Sequence, residues 1–279
     1  MAANSSPLVI DLHSHSTCSD GGLSPRELVQ EAHQRGVTTL ALTDHDTTAG
    51  IEDARAVAEQ LEIELVAGVE FTCEAAGREI HLLGLGVDIE SEPLQELCSE
   101  IRNRRFTRFL KMHGLLEAAG IKFELPELTE NDSLARPVMA RLLIEAGYAQ
   151  TYDEAFRKYL RPGCPGYFAH SCLPIDAAIE AVRAARGVSF VAHPGNYRNG
   201  DEVVAEALDK GADGIECYHP DHDEVKTRHF EEIALSRGGL VSGGSDFHRA
   251  EHARSAWFGR PACPPEHFDR MMQEVAARC

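Results

Sequence analysis

Short apolar runs alternate along this chain with amphipathic stretches of helical period. PLVIDLHSH (7–15), TTLALTDHD (38–46), IELVAGVEFTCE (63–74), REIHLLGLGVD (78–88), VSFVAHPG (188–195), GIECYHP (214–220) and LVSGGSDFH (240–248) read as strands. The third and fourth are joined by a turn around Gly77. SPRELVQEAHQRG (24–36), AGIEDARAVAEQLE (49–62), PIDAAIEAVRAARG (174–187), DEVVAEALDKGA (201–212) and EVKTRHFEEIALSRGG (224–239) read as helices. The first is the best marked, with Ser24 as N-cap, Pro25 at the first helical position, Glu27 at the capping-box position and Gly36 as a stop.

From about Ser91 the pattern changes. EPLQELCSEIRNRRFTRFLKMHGLLEAAG (92–120) has one long helical period, and a loop holding Pro126 follows. RPVMARLLIEAGY and TYDEAFRKYL then read as two short helices before the Pro/Gly break RPGCPGY (161–167). The expected organisation is an α/β domain of residues 7–91 and 166–279, interrupted by a helical insertion over 92–165. Seven strands, mostly in strand-then-helix order, predict a parallel sheet. Continuous apolar runs such as SFVA and TLAL fit burial on both faces. A doubly wound open sheet and an α/β barrel both satisfy this pattern, and the placement of polar residues favours the barrel.

The chain's 279 residues suit one large domain or two smaller ones, and 43% hydrophobic with 26% charged residues is ordinary for a globular enzyme. A formal charge of −18 argues against binding long nucleic acid or anionic membranes, since phosphate contacts need Lys and Arg. It leaves room for a small phosphorylated substrate held by metal ions and one or two arginines. The eight cysteines include no C-x-x-C pair, which points to a reducing cytoplasm. The N-terminus shows no signal-peptide pattern, and no run is long enough to cross a membrane.

The strand ends carry the chemistry. The first ends in His13 and His15, and the second in Asp44, His45 and Asp46. The third delivers Glu70, the fourth His81, the fifth His193, the sixth His219 and the seventh Asp246 and His248. On a strand, residues two apart share a side, so His13 and His15 can reach one ion together, and Asp246 and His248 repeat the device. Asp20, in the loop after the first strand, can fold back over them. In an α/β barrel, groups at the C-terminal ends of strands meet on one face. Of the fourteen histidines, His33, His113, His222, His229, His252 and His267 read as solvated or locally hydrogen-bonded, and His170 is ambiguous. Imidazole and carboxylate donors without thiolate suit Mn²⁺, Fe²⁺ or Zn²⁺ better than Ca²⁺.

DLHSHSTCSDG, LALTDHDT, GVEFT, IHLLGLG, VAHPG and GGSDFH together resemble the PHP (polymerase and histidinol phosphatase) superfamily. Within it they are similar to stand-alone phosphoesterases acting on nucleoside 3′,5′-bisphosphates and 5′-phosphorylated short oligoribonucleotides. The resemblance implies a distorted seven-stranded (β/α)7 barrel holding three divalent ions, Mn most suited and Fe or Zn possible. It implies one ion on His13, His15, Glu70 and Asp246, a second on Asp20, His45 and His248, and a third on His81 and His193 with Glu70 shared. Phosphate would leave through attack by a hydroxide bridging two ions, with His219 or the third ion assisting the departing oxygen. Arg136 and Arg198 are candidates for a second phosphate, with Asn196 and Tyr167 as further substrate contacts, and Tyr218 could stack on a base. The chain departs from its look-alikes where they often read G-R-P-H: here 135–138 is A-R-P-V, and Asn196 stands where many have Arg. The alternatives are a histidinol-phosphate phosphatase with the same chemistry, or a non-catalytic metal-binding PHP module.

Overall fold

The computed structural model describes residues 8–128, 134, 136–169, 172–249, 256–260 and 262–279. It divides into two compact units, residues 1–98 with 173–279, and residues 99–172.

The first unit is an α/β fold. β1 (Ile10–Asp11), β2 (Thr39–Leu42), β3 (Glu64–Ala75), β4 (Arg78–Leu85), β6 (Val188–Val191), β7 (Gly214–Tyr218) and β8 (Leu240–Gly243) are hydrogen-bonded in that order. These are the seven strands expected. An eighth, the two-residue β5 (Leu173–Pro174), pairs only with β3. Beyond the ends of β1 and β8, the N–H groups of Leu12 and His15 donate to the carbonyls of Gly243 (3.1 Å) and Phe247 (2.9 Å), so the order returns to its start.

Neighbouring strands are parallel except at β4, which runs antiparallel to both β3 and β6. The physical reason is the tight turn at Ala76 and Gly77, both at positive φ, which leaves no length for a crossover helix. This corrects one expectation. His81 is not at the C-terminal end of its strand but in the first half of β4, because reversal puts that half beside the C-terminal ends of the others.

The helices follow from their patterns. α1 (Pro25–Gln34) starts on the Ser24–Glu27 capping box, and α2 (Ile51–Leu61) follows β2. α6 (Ile175–Ala184), α7 (Gly200–Asp209) and α8 (Glu224–Ser236) fall where read. α9 (Pro265–Arg278) was not read from the sequence. Alternate residues of a strand enter different cores, as two-sided burial requires. On β2, Ala41 joins the inner core, while Leu40 and Leu42 join the outer one with α1 and α2. Phe268, Met271 and Val275 of α9 pack on the inner core beside Leu85, Val188 and Leu240. Those three lie at the strand ends opposite the donor residues, so α9 closes the floor of the fold.

The boundary between the units falls within α3 (Glu92–Ala118). The second unit continues with α4 (Arg136–Glu145), then α5 (Tyr152–Ala155) and a π-helical turn (Phe156–Leu160). It has its own core, built on Phe109, Met112, Leu116, Met139, Leu143 and Leu160.

Candidate metal centre

At the mouth of the first unit, all nine expected donors gather into one cluster around Glu70. Glu70 is fully buried at mid-length of β3, where its backbone bridges to His45 just past β2. Its Oε2 lies 3.2 Å from Nε2 of both His13 and His15 and 3.1 Å from Nδ1 of His45. Its Oε1 lies 3.0 Å from Nδ1 of His81 and 3.1 Å from Nε2 of His193. Asp246 Oδ1 approaches Nε2 of His13 (3.5 Å) and of His15 (3.3 Å), and Asp20 Oδ1 lies 3.3 Å from Nε2 of His248.

Three donor sets are compact, with one donor atom per residue and all within 4.8 Å: His13, His15, Glu70 and Asp246; His15, Asp20, His45 and His248; and His45, Glu70 and His81. The first matches the expected first ion. The second adds His15 to the expected trio. The third substitutes His45 for His193, which reaches the same carboxylate from the other side.

Backbone geometry explains how short strands deliver these groups. Asp46, His193 and Asp246 are non-glycine residues at positive φ (54°, 32° and 51°). Such strain persists only where surrounding contacts hold it. Asp46 is held by the Thr72 N–H on its Oδ1 (2.8 Å) and by its own N–H on the Glu70 carbonyl. Asp44 ties the loop after β1, accepting from the Ser16 N–H (2.7 Å) and the Ser16 and Ser19 hydroxyls (2.6 and 2.5 Å), which turns Asp20 back toward the mouth. Gly244 admits His13, since a Cβ there would sit 2.4 Å from its N and Cβ.

The electrostatics are those of a donor set. Burial works against charge on His13, but Glu216, Glu70 and Asp246 outweigh it and raise the imidazole well above its ordinary value. Burial likewise opposes charge on His15, but the adjacent carboxylates of Asp246 and Glu70 carry it to about 10. Burial pushes Glu70 and Asp246 up, and the surrounding imidazoles, His13 first, hold both well below the usual carboxylate range. Burial lowers His45 to about 3 and lowers His193, so both are neutral at pH 7. Several buried atoms make no hydrogen bond, among them Nδ1 of His45 and of His193, Oε2 of Glu70 and Oδ1 of Asp20. Unsatisfied buried lone pairs are costly unless a cation meets them. Imidazole nitrogens interleaved with ionised carboxylates fit a divalent ion of the Mn, Fe or Zn kind, which would displace the protons that His13 and His15 hold without it.

His219 is buried beside the cluster, with Nε2 3.6 Å from Asp246 Oδ2. Its Nδ1 accepts the Asp221 N–H (3.1 Å), so the neutral ring carries its proton on Nε2. Asn196 and Arg198 are exposed on the turn after β6, outside the donor cluster; Arg198 lines a groove with Tyr197, Lys226 and Phe230. Arg136 opens α4 with its guanidinium 6.0 Å from the Phe156 ring centre, and Tyr167 is half-buried; both belong to the second unit. Tyr218 donates its hydroxyl to Glu231 of α8, away from the donors. His222 is locally bonded as expected, but buried: its Nδ1 pairs with the Cys217 carbonyl and its Nε2 accepts the Gly195 N–H. His170 and His252 lie outside the described residues.

Two groups escaped the sequence reading. Tyr197 accepts the His81 N–H on its hydroxyl (2.8 Å), and burial holds it as the neutral phenol. Glu216, fully buried on β7, contacts both His13 and the backbone of His193. The one signal for Glu216 was an acid inside the otherwise apolar run GIECY.

Residues 11–257 match the PHP domain family. The 3′,5′-nucleoside bisphosphate phosphatase of Chromobacterium violaceum is 35% identical over 247 residues, covering 86% of this chain and 87% of that protein. The 5′-3′ exoribonuclease Rnm of Escherichia coli is 33% identical over 263 residues, 90% of each. A crystal structure from Bifidobacterium adolescentis, of a protein predicted to be a metal-dependent phosphoesterase, superposes with a TM-score of 0.81 over 95% of each chain at 27% identity. With this coverage and this conjunction of fold and donors, the chain belongs to the PHP domain family, as one of its phosphoester hydrolases.

Proposed function

We propose that the chain hydrolyses phosphate from a nucleotide-type substrate, a nucleoside 3′,5′-bisphosphate or a 5′-phosphorylated short oligoribonucleotide, at a centre of three divalent ions. The observation that carries this reading is the convergence of buried, unsatisfied imidazole and carboxylate atoms on Glu70. His13, His15, Glu70 and Asp246 would hold one ion, Asp20, His45 and His248 a second, and His81 and His193 with Glu70 a third. Such ions, Mn²⁺ by family resemblance, would acidify a water and offset charge on the phosphoryl oxygens.

The chain's own residues do the rest. His219 presents an N–H at Nε2 toward the mouth, placed to give a proton to the departing sugar oxygen. Arg136, Arg198 and Asn196 are the residues we assign to phosphate contacts, and Tyr167 to a base.

The test is phosphate release from Mn²⁺-loaded protein on adenosine 3′,5′-bisphosphate, 5′-phosphorylated dinucleotides and histidinol phosphate, side by side. Turnover of the nucleotides well above histidinol phosphate is the expected result. The reverse order makes the chain a histidinol-phosphate phosphatase, and metal-loaded protein inert on all three makes it a non-catalytic module. Arg136→Ala should raise KM for the bisphosphate about 5-fold or more while leaving an aryl phosphate unaffected. Equal losses on both remove Arg136 from the phosphate role.

A further inference from the structure

One fully buried carboxylate ties together two donors that belong to different ion sites. Glu216 Oε1 accepts from Nδ1 of His13 (2.8 Å), and its Oε2 accepts the backbone N–H of His193 (2.7 Å). Both contacts have consequences at the mouth. A proton fixed on Nδ1 leaves the Nε2 lone pair of neutral His13 free to ligate, and Nε2 is the atom facing His15, Glu70 and Asp246. At His193, the contact secures a non-glycine residue at φ 32°, from which its ring reaches Glu70.

From this geometry we propose that Glu216 is a positioning residue that sets the tautomer of His13 and the backbone of His193 together, and so couples the ion on the first set of donors to the ion on the third. The proposal rests on the metal-centre reading above and adds a residue outside the nine donors. The chemistry of the side chain makes it specific. Two N–H donors meet one side chain, and only a carboxylate offers an acceptor oxygen to each. An amide has one oxygen and one NH₂. In Glu216→Gln, one orientation turns the NH₂ against the His193 N–H, two donors face to face. The other turns it toward His13, where it can be satisfied only by taking the Nδ1 lone pair, which moves the proton to Nε2 and removes the ligating atom. Either orientation costs one of the two sites. Aspartate keeps both acceptors on a shorter stem.

The experiment measures Zn²⁺ uptake by the full-length chain after chelation, by titration calorimetry and by ions retained through dialysis, for the wild type, Glu216→Gln and Glu216→Asp. Glu216→Gln is expected to retain fewer ions and to bind Zn²⁺ about 10- to 100-fold more weakly. Glu216→Asp should recover most of that loss. A Glu216→Gln protein with wild-type count and affinity overturns the proposal, as does a Glu216→Asp protein no better than Glu216→Gln. A wild type that takes up no Zn²⁺ overturns the metal centre itself and this inference with it. The ¹⁵N imidazole spectrum of the Zn²⁺-loaded wild type decides the matter without any variant folding. His13 with its proton on Nδ1 and its metal on Nε2 is the expected signature, and the opposite assignment overturns the proposal.

Discussion

Glu70 and Asp213 are acidic side chains at opposite ends of the same ring of strands, and the fold treats them in opposite ways. Asp213 precedes β7 at the floor. It accepts from the Ser189 N–H (2.8 Å) and hydroxyl (3.0 Å), and from both terminal nitrogens of Arg278 on α9. Its charge is met by a permanent cation, and its bonds are complete within the chain. Glu70, at the mouth, is surrounded by five imidazoles, and its Oε2 still makes no hydrogen bond. The floor is built for stability, with donors matched to acceptors. The mouth concentrates acceptors, which is sensible only where a cation from solution completes the set.

That contrast can be broken, most forcefully at its centre. Glu70→Gln removes the carboxylate shared by the donors. Losing several kcal/mol of ion binding should lower phosphate release by about 10³-fold, with the metal content of dialysed protein falling in parallel. Full activity with full metal content would end the reading of Glu70 as the shared ligand. His219→Gln comes next: it should keep its ions yet lose about 10²-fold in kcat on a nucleotide, and much less on an aryl phosphate whose leaving group needs no proton. Equal losses on both substrates remove His219 from the proton-transfer role.

At the floor the effect should be on stability alone. Arg278→Ala strips Asp213 of its cation and should cost about 2 kcal/mol in denaturant unfolding while leaving kcat on the nucleotide unchanged. A loss of activity without a loss of stability would invert the comparison.

The smallest effect is a pH dependence that changes with metal. In metal-free protein His13 and His15 have raised pKa values, His15 to about 10, so the folded chain holds more protons than the unfolded one above the ordinary histidine value of 6.5. Their contribution is complete below pH 6.5 and is lost as pH rises toward 10. His45, at about 3, and His193 are lowered, and theirs is lost as pH falls below 6.5. With chelator present, melting temperature should therefore decline by a few degrees from pH 6.5 to 9.5. Zn²⁺ or Mn²⁺ competes with those protons, so the metal-loaded protein should lose that decline. The same slope in both forms would separate the histidines from the metal.

Much of this was legible in the sequence. His13 and His15 on alternate residues, and Asp246 and His248 likewise, name both a strand face and its chemistry in three residues each. The reversal of β4 was less visible, because the turn at Gly77 shows that two strands are adjacent but not that the second keeps its reversed direction against β6. Glu216 was hidden for a related reason. In a sheet buried on both faces, the four residues Gly214 to Cys217 are all inside, and periodicity cannot say which face meets the donors. α9 carries no strand-end chemistry to mark it, and its role appears only when Phe268 and Met271 are seen closing the floor. Arg198 and Asn196 sit on an exposed turn close in sequence to the candidate donor His193, and proximity along the chain gave no measure of reach.

The central claim is that the mouth holds divalent ions among these particular side chains. Anomalous diffraction from crystals grown with Mn²⁺ tests it most directly. The expected result is three peaks, one within bonding distance of His13 and Asp246, one of Asp20 and His248, and one of His81 and His193, with Glu70 between the first and third. Crystals showing no anomalous peak within reach of Glu70, while the protein still releases phosphate from a nucleotide, would contradict it.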